Sequence, residues 1–294
     1  MSPPKSTPML KQYLSIKEQY PDAILFYRMG DFYEMFFEDA QVASPLLEIA
    51  LTSRNKNDES PVPMCGFPHR AAQGYIAKLI RHGYKIAVCD QVEDPAKAKG
   101  LVKRDVVRVI TPGMVVENEL LDERANNFVL AVDCKNDIFG IAYLDISTGT
   151  FRVAESRDTA AVVEEIRRVA PSEVLFAESS KNEAIFSPIT KVLSEVSISY
   201  LEDKAFEHQR GYERLTDQFK TVTLEGFGCE NMKAAVCAAA AVVYYVRKTQ
   251  KQGIEHLTRI ETYWLDNYLL VDDLSRQNLE LFKNIRTGTR KATL

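Results

Sequence analysis

Phe32, Tyr33 and Glu34 follow a Gly30-Asp31 pair that separates two apolar runs, so they read as the start of a returning β-strand. Side chains alternate along a strand, which puts Phe32 and Glu34 on one face and Tyr33 on the other. One reading is an aromatic packed into the core with an exposed acid beside it. Local sequence alone favours that reading, and what speaks for the alternative, an aromatic exposed at a strand end, is the adjacent Gly30-Asp31 turn. Asp133, Asp145 and Glu155 fall in a second group of strands. Carboxylates at neighbouring strand ends can hold metal ions for phosphodiester cleavage, or they can simply end strands and cap turns. No further acid stands out to complete a metal cluster. Lys97, Lys99, Lys103 and Arg104 share one loop, and Arg54 and Lys56 another. Each group reads either as phosphate-binding or as ordinary solvated charge. Cys65, Cys89, Cys134, Cys229 and Cys237 form no Cys-x-x-Cys pair, and His69, His82, His208 and His256 have no ligand-like spacing to them. The sequence contains no G-x-x-x-x-G-K-[ST] phosphate loop, since Gly288-Thr289-Arg290-Lys291 lacks its glycines.

The chain that must position these residues has 294 of them, 46% hydrophobic and 27% charged. That suits two folded domains and part of a third, and excludes a disordered chain or a small disulfide scaffold. With 37 basic and 41 acidic residues the net charge is −4, which gives no general attraction to nucleic acid. Residues 1–115 hold 15 Lys and Arg against 13 Asp and Glu, whereas the remainder holds 22 against 28, so an anionic partner should prefer the first part. Cysteines among apolar neighbours suit reduced thiols in a cytosolic protein. The N-terminal residues lack the apolar run of a signal peptide. Ala234–Val246 is short of the roughly 20 residues a membrane span needs and reads as a buried helix.

The pattern predicts a mixed α/β first unit: a helix from Thr7 to Tyr20, a strand over 23–29, a strand over 32–37 and a helix over 38–51 kinked at Pro45. A polar loop over 55–63, a helix over 71–82 and strands over 84–89 and 106–110 complete it. Residues 127–134, 139–146 and 149–155 form an antiparallel meander, because their connections are too short for anything else. A helix over 158–169, strands over 173–177 and 197–202, helical segments over 204–219 and a long Ala-rich helix over 231–249 follow. Three antiparallel strands followed by alternating helix and strand is the order of the ribonuclease H-like fold. Beyond it, 263–270 reads as extended and 275–285 as helical, and the chain reads as the front portion of a longer protein. The expected division is a domain over 1–115, a linker over 116–126, an α/β domain over 127–250 and the start of another over 251–294.

Residues 25–34, Leu-Phe-Tyr-Arg-Met-Gly-Asp-Phe-Tyr-Glu, resemble the N-terminal motif of the bacterial MutS family of DNA mismatch-recognition proteins. The likeness continues through residues 63–68, 107–113, 144–149 and 278–281, in the family's order and over essentially the whole chain. It implies a mismatch-recognition domain, a ribonuclease H-like connector and the opening of a core domain. Phe32 and Glu34 then match the family's Phe-x-Glu element, which enters the minor groove at a mismatch. Met29, Arg54, Lys56, Lys97, Lys99, Lys103, Arg104 and Arg108 are the candidates for contacts near the DNA backbone. The resemblance implies mismatched duplex DNA as ligand, a homodimer and a MutL-like partner for the full-length protein, and a bacterial cytoplasmic, nucleoid-associated location. No cofactor is expected in this chain; ATP and Mg²⁺ belong to the family's C-terminal ATPase. The alternative is a metal-dependent ribonuclease H-like nuclease using Asp133 and Asp145, and a third reading is a protein-interaction scaffold.

Overall fold

The computed structural model describes residues 7–54, 61–93, 100–114, 126–194, 196–250 and 254–265, with Ser275 and residues 278–280. Two units emerge, Met1–Ala125 with Val246–Ile254, and Asn126–Tyr245 with Glu255–Leu294. No helix among the described residues is long and apolar enough to cross a membrane.

In the first unit, α1 (Pro8–Lys17) starts where the Thr7 hydroxyl accepts from the Leu10 amide, with Pro8 in the first turn. Strand β1 (Ala23–Met29) turns at Gly30-Asp31 into β2 (Phe32–Phe36), with Met29 opposite Phe32. Gly30 has φ +57°, a left-handed conformation that suits glycine in so tight a turn. Helix α2 spans Phe37–Leu47, ending earlier than its apolar pattern predicts. Pro45 lies in its last turn, and Glu48 closes it in the left-handed conformation.

Two further strands, β3 (Thr52–Arg54) and β4 (Val62–Pro68), lie on either side of the expected loop over 55–63, in stretches where the sequence predicts no element apart from the loop's last two residues. Pro63 and Pro68 disguise β4, but Pro63 sits opposite Ser53 beside a short edge strand and Pro68 is the last residue. Helix α3 (Ala72–Arg81) and strands β5 (Lys85–Gln91) and β6 (Arg104–Ile110) follow. The sheet order is β3-β4-β2-β1-β5-β6, antiparallel except for β1 with β5. Tyr13 and Leu10 of α1 pack with Leu25, Tyr27 and Phe36. Leu47 of α2 and Leu79 of α3 pack with Phe26, Tyr33 and Phe67, so helices cover both faces.

Asp39 of α2 ties this packing together. Its buried carboxylate accepts from the Tyr13 hydroxyl at 2.8 Å, the Lys17 ammonium at 2.8 Å and the Leu25 amide at 3.0 Å. Burial and the adjacent carboxylate push the Tyr13 phenol well above its ordinary pKa, which keeps it a donor. Truncation as Asp39→Ala removes the Leu25 amide's acceptor and leaves Tyr13 the Phe36 carbonyl and Lys17 the Ala23 carbonyl. Breaking so largely buried a charge pair costs about 3 kcal/mol. Urea unfolding should therefore show the first unit losing stability of that order.

In the second unit, β7 (Phe128–Lys135), β8 (Ile138–Asp145) and β9 (Thr150–Ser156) form the expected meander. Asn136 and Asp137 both have positive φ, as a two-residue hairpin turn demands. Then come α4 (Thr159–Val169), capped by Asp158, β10 (Glu173–Ala177), α5 (Ser187–Val192) and β11 (Ser197–Leu201). Helices α6 (His208–Phe219) and α7 (Lys233–Gln250) precede a short β12 (Glu261–Thr262). The order is β11-β10-β7-β8-β9-β12, with β10, β11 and β12 each joined in parallel. The sequence reading missed α5, a helix of 6 residues inside an expected loop. Of the extended structure expected over 263–270, residues 263–265 follow β12 without forming a strand and 266–270 lie outside the described residues, as do 276–277 and 281–285 of the helix expected over 275–285.

Candidate nucleic-acid interface

The β1–β2 turn leaves an open end on one sheet face, where Phe32 keeps 47% of its surface exposed. Glu34, two residues on, shares that face and is half-buried. Tyr33 points the other way, packing on Phe26 and Phe67, and its hydroxyl donates to Asp90 at 3.0 Å. Burial and Asp90 push its phenol up to about 12. The alternation that exposes Phe32 thus buries its neighbour, and Tyr33 anchors the strand from behind. The turn itself is held twice: the Arg28 guanidinium donates to the Gly30 carbonyl, and the His69 amide donates to the Asp31 carbonyl at 2.8 Å.

Across the sheet, Phe32 stands opposite Met29 on β1 and Pro68 on β4. Glu34 stands opposite Tyr27 and Gly66, and Arg54 at the end of β3 reaches its carboxylate at 3.5 Å. Burial raises the Glu34 pKa, while the charges of Arg54 and Arg104 pull it back down. An aromatic ring, a half-buried acid, a thioether and a guanidinium therefore share one edge of one face.

The other basic candidates separate. Arg104 is 8% exposed and turned inward: it donates to the carbonyls of Arg28 at 2.7 Å and Val102 at 2.9 Å, and its guanidinium lies 5.0 Å from the Tyr27 ring centroid. Its burial departs from its reading as a loop cation, because β6 begins at Arg104 and lays the side chain along Tyr27 and Met29, on the face that carries Glu34. Arg108 stands opposite Val88, on the face that packs α2 and α3, away from Phe32. The cause is an irregularity in β6, where Val88 faces Arg108 but Cys89 faces Val106, so alternation slips by one. Lys103 is exposed. Lys56, Lys97 and Lys99 lie outside the described residues. Sequence reasoning missed Gly66 and Pro68 as site neighbours; apolar Cys65 and Phe67, two residues apart and both buried in the fold, were the available signal for their strand.

A family model for MutS domain I matches residues 7–119, and one for MutS domain II matches residues 127–261. The chain belongs to the MutS family. It is 55% identical over 289 residues to the DNA mismatch repair protein MutS of Desulfosudis oleivorans, covering 98% of this chain and 33% of the relative. The corresponding protein of Desulfatibacillum aliphaticivorans is 51% identical over 294 residues, covering 100% and 33%. That of Symbiobacterium thermophilum is 46% identical over 298 residues, covering 100% and 34%. The chain thus spans about a third of the length of the curated relatives it matches.

In the stretch matching MutS domain II, the carboxylates that suggested metal chemistry have structural partners. Asp145 is buried and accepts from the Ser147 amide at 2.9 Å and hydroxyl at 2.6 Å, capping the β8–β9 turn. Glu155 accepts from the Ala234 and Ala235 amides at 2.7 and 3.0 Å, at the start of α7. Asp133 pairs with Lys135 at 3.0 Å, and burial raises its pKa. Gly140 lies between Asp133 and Glu155 in register, and a Cβ there would meet the Ala234 backbone at 2.0 Å. The helix start thus sits directly on the strip that a metal pair would need. Among the described residues no three His, Cys, Asp or Glu side chains gather as a metal site.

Proposed function

We propose that this chain recognises mismatched or unpaired bases in duplex DNA, with Phe32 as a minor-groove wedge and Glu34 as the hydrogen-bonding partner of the displaced base. The observation that carries this reading is Phe32, 47% exposed at the open end of a sheet face with a half-buried carboxylate beside it. Burying an exposed phenylalanine ring gains about 1.5–3 kcal/mol. Unstacking a base step costs a few kcal/mol, so at paired DNA the two terms nearly cancel. A mispaired base is already poorly stacked, and there the balance turns favourable. Recognition of this kind reads deformability, which accepts many mismatches.

Residues 1–115 act as the recognition domain in this reading and 127–250 as a connector, with 116–126 linking them and 251–294 opening a core domain. Arg54 and Lys103, joined by Lys56, Lys97 and Lys99, supply phosphate contacts, and Met29 lies against the groove beside Phe32. For a protein of the relatives' full length carrying this chain, hereafter the full-length protein, we propose a homodimer, a MutL-like partner and a bacterial cytoplasmic, nucleoid-associated location. ATP and Mg²⁺ would act there outside these residues, since this sequence holds no phosphate-loop motif to fit them. The hydrogen-bonded strand-end carboxylates argue against the nuclease alternative.

The 294-residue chain by itself should bind DNA weakly. Its first 115 residues carry a net charge of only +2, and phosphate neutralisation dominates affinity. With about five basic candidates, the slope of log K against log salt should be no steeper than about −5. Fluorescence anisotropy over a salt series checks both. Tight, mismatch-selective binding by the isolated chain at physiological salt would refute this account of its charge.

A further inference from the structure

Strand β4 presents a different neighbour to each residue on this face of β2: Pro68 to the exposed Phe32, bare Gly66 to the half-buried Glu34 and Met64 to the buried Phe36. A Cβ on Gly66 would lie 2.8 Å from the Tyr33 carbonyl oxygen, 3.3 Å from Glu34 Cγ and 3.5 Å from Glu34 Cα. The first distance is closer than packed atoms approach, and the second requires the Glu34 chain to move. Gly66 has no positive φ. Its need for glycine is therefore one of space alone. The Glu34 chain lies over this gap, and its carboxylate reaches Arg54 at 3.5 Å on the strand beyond.

We propose that Gly66 is a positioning residue for mismatch selectivity, providing the side-chain-free floor on which Glu34 is set beside Phe32. This rests on the reading of Phe32 and Glu34 given above and assigns the specificity of that site to a residue that offers no functional group of its own. Any side chain at 66 lifts Glu34 off the floor and shifts its carboxylate from the position in which it meets a displaced base. Contacts to phosphate come from other residues, so affinity for paired duplex should be little affected.

The test is a double-mutant cycle in the full-length protein, using Gly66→Ala, Glu34→Ala and both together. G·T and G·C duplexes are compared by anisotropy, with thermal unfolding as the control for folding. Gly66→Ala should lower the G·T over G·C affinity ratio at least tenfold and change G·C affinity by less than about threefold. In the Glu34→Ala background the same substitution should change the ratio by less than twofold. An unchanged ratio in folded Gly66→Ala overturns the proposal, as does an equal loss in the Glu34→Ala background. If Glu34→Ala and Phe32→Ala also leave the ratio unchanged, the mismatch reading itself has failed. A second measurement on the unsubstituted 294-residue chain guards against a misfolded variant. With selective labelling, the Gly66 α-protons and Glu34 γ-protons should show a nuclear Overhauser effect, and its absence overturns the proposal regardless of the variants.

Discussion

Replacing Phe32 with alanine in the full-length protein should bring the G·T over G·C affinity ratio close to one. In this reading the exposed ring is the part of the site that enters the base stack, so without it a weakly stacked step offers little advantage. Affinity for paired duplex should change little, because phosphate contacts supply most of it. Stability should also hold, within about 0.5 kcal/mol, because substitutions of exposed residues seldom cost more. A core role for Phe32 predicts the reverse, a loss of several kcal/mol on truncation. Its 47% exposure favours the first outcome. Parallel binding and urea-unfolding experiments separate the two.

Glu34→Ala should lose discrimination in a different manner, with binding to fully paired duplex preserved or strengthened about two- to fivefold. A carboxylate near phosphates is repelled, and removing it also releases Arg54, which the ion pair at 3.5 Å otherwise holds. Exposed pairs of this kind are worth up to about 1 kcal/mol, which matches that gain. Facing a base donor, Glu34 accepts as the anion. Facing a base acceptor, it must carry a proton, and both burial and the negative potential of DNA favour that form. In the second case the folded-state and complex pKa values lie above the ordinary carboxylate value. Mismatch affinity is then fully present at low pH and lost as pH rises through the pKa of the complex. Glu34→Gln, a donor at every pH, should abolish that dependence. Competition binding with G·C duplex across pH 5–8 provides the check, and Phe32→Ala should show no gain for paired DNA.

The hairpin that carries Phe32 was legible because Gly30-Asp31 interrupts two apolar runs, and local turn chemistry survives folding unchanged. The meander of β7, β8 and β9 was legible for the same reason, and α7 because its apolar run is long. Strand β4 was hidden by Pro63, Gly66 and Pro68, each a strand breaker in isolation and each tolerated at its particular register position. Where Arg104 and Arg108 lie is decided by non-local features. A basic side chain looks the same in sequence whether it faces water or stacks on Tyr27, and an irregularity in β6 reverses the face of Arg108 without any marker residue. Asp39 is a further case, because its three donors come from separate elements that only the folded unit assembles. What Phe32 and Glu34 share was readable from strand alternation; what supports Glu34 needed the neighbouring strands.

The central claim is that the Phe32 ring itself unstacks the mismatched step. A duplex carrying 2-aminopurine next to a G·T mismatch reports this directly, because its emission rises when stacking is lost. Binding of the full-length protein should raise that emission, with no comparable rise when the probe sits in a fully paired duplex. Phe32→Ala, at concentrations that saturate the same DNA, should leave it near the level of the free duplex. An equal rise with Phe32→Ala would show that another group opens the step and would contradict the account.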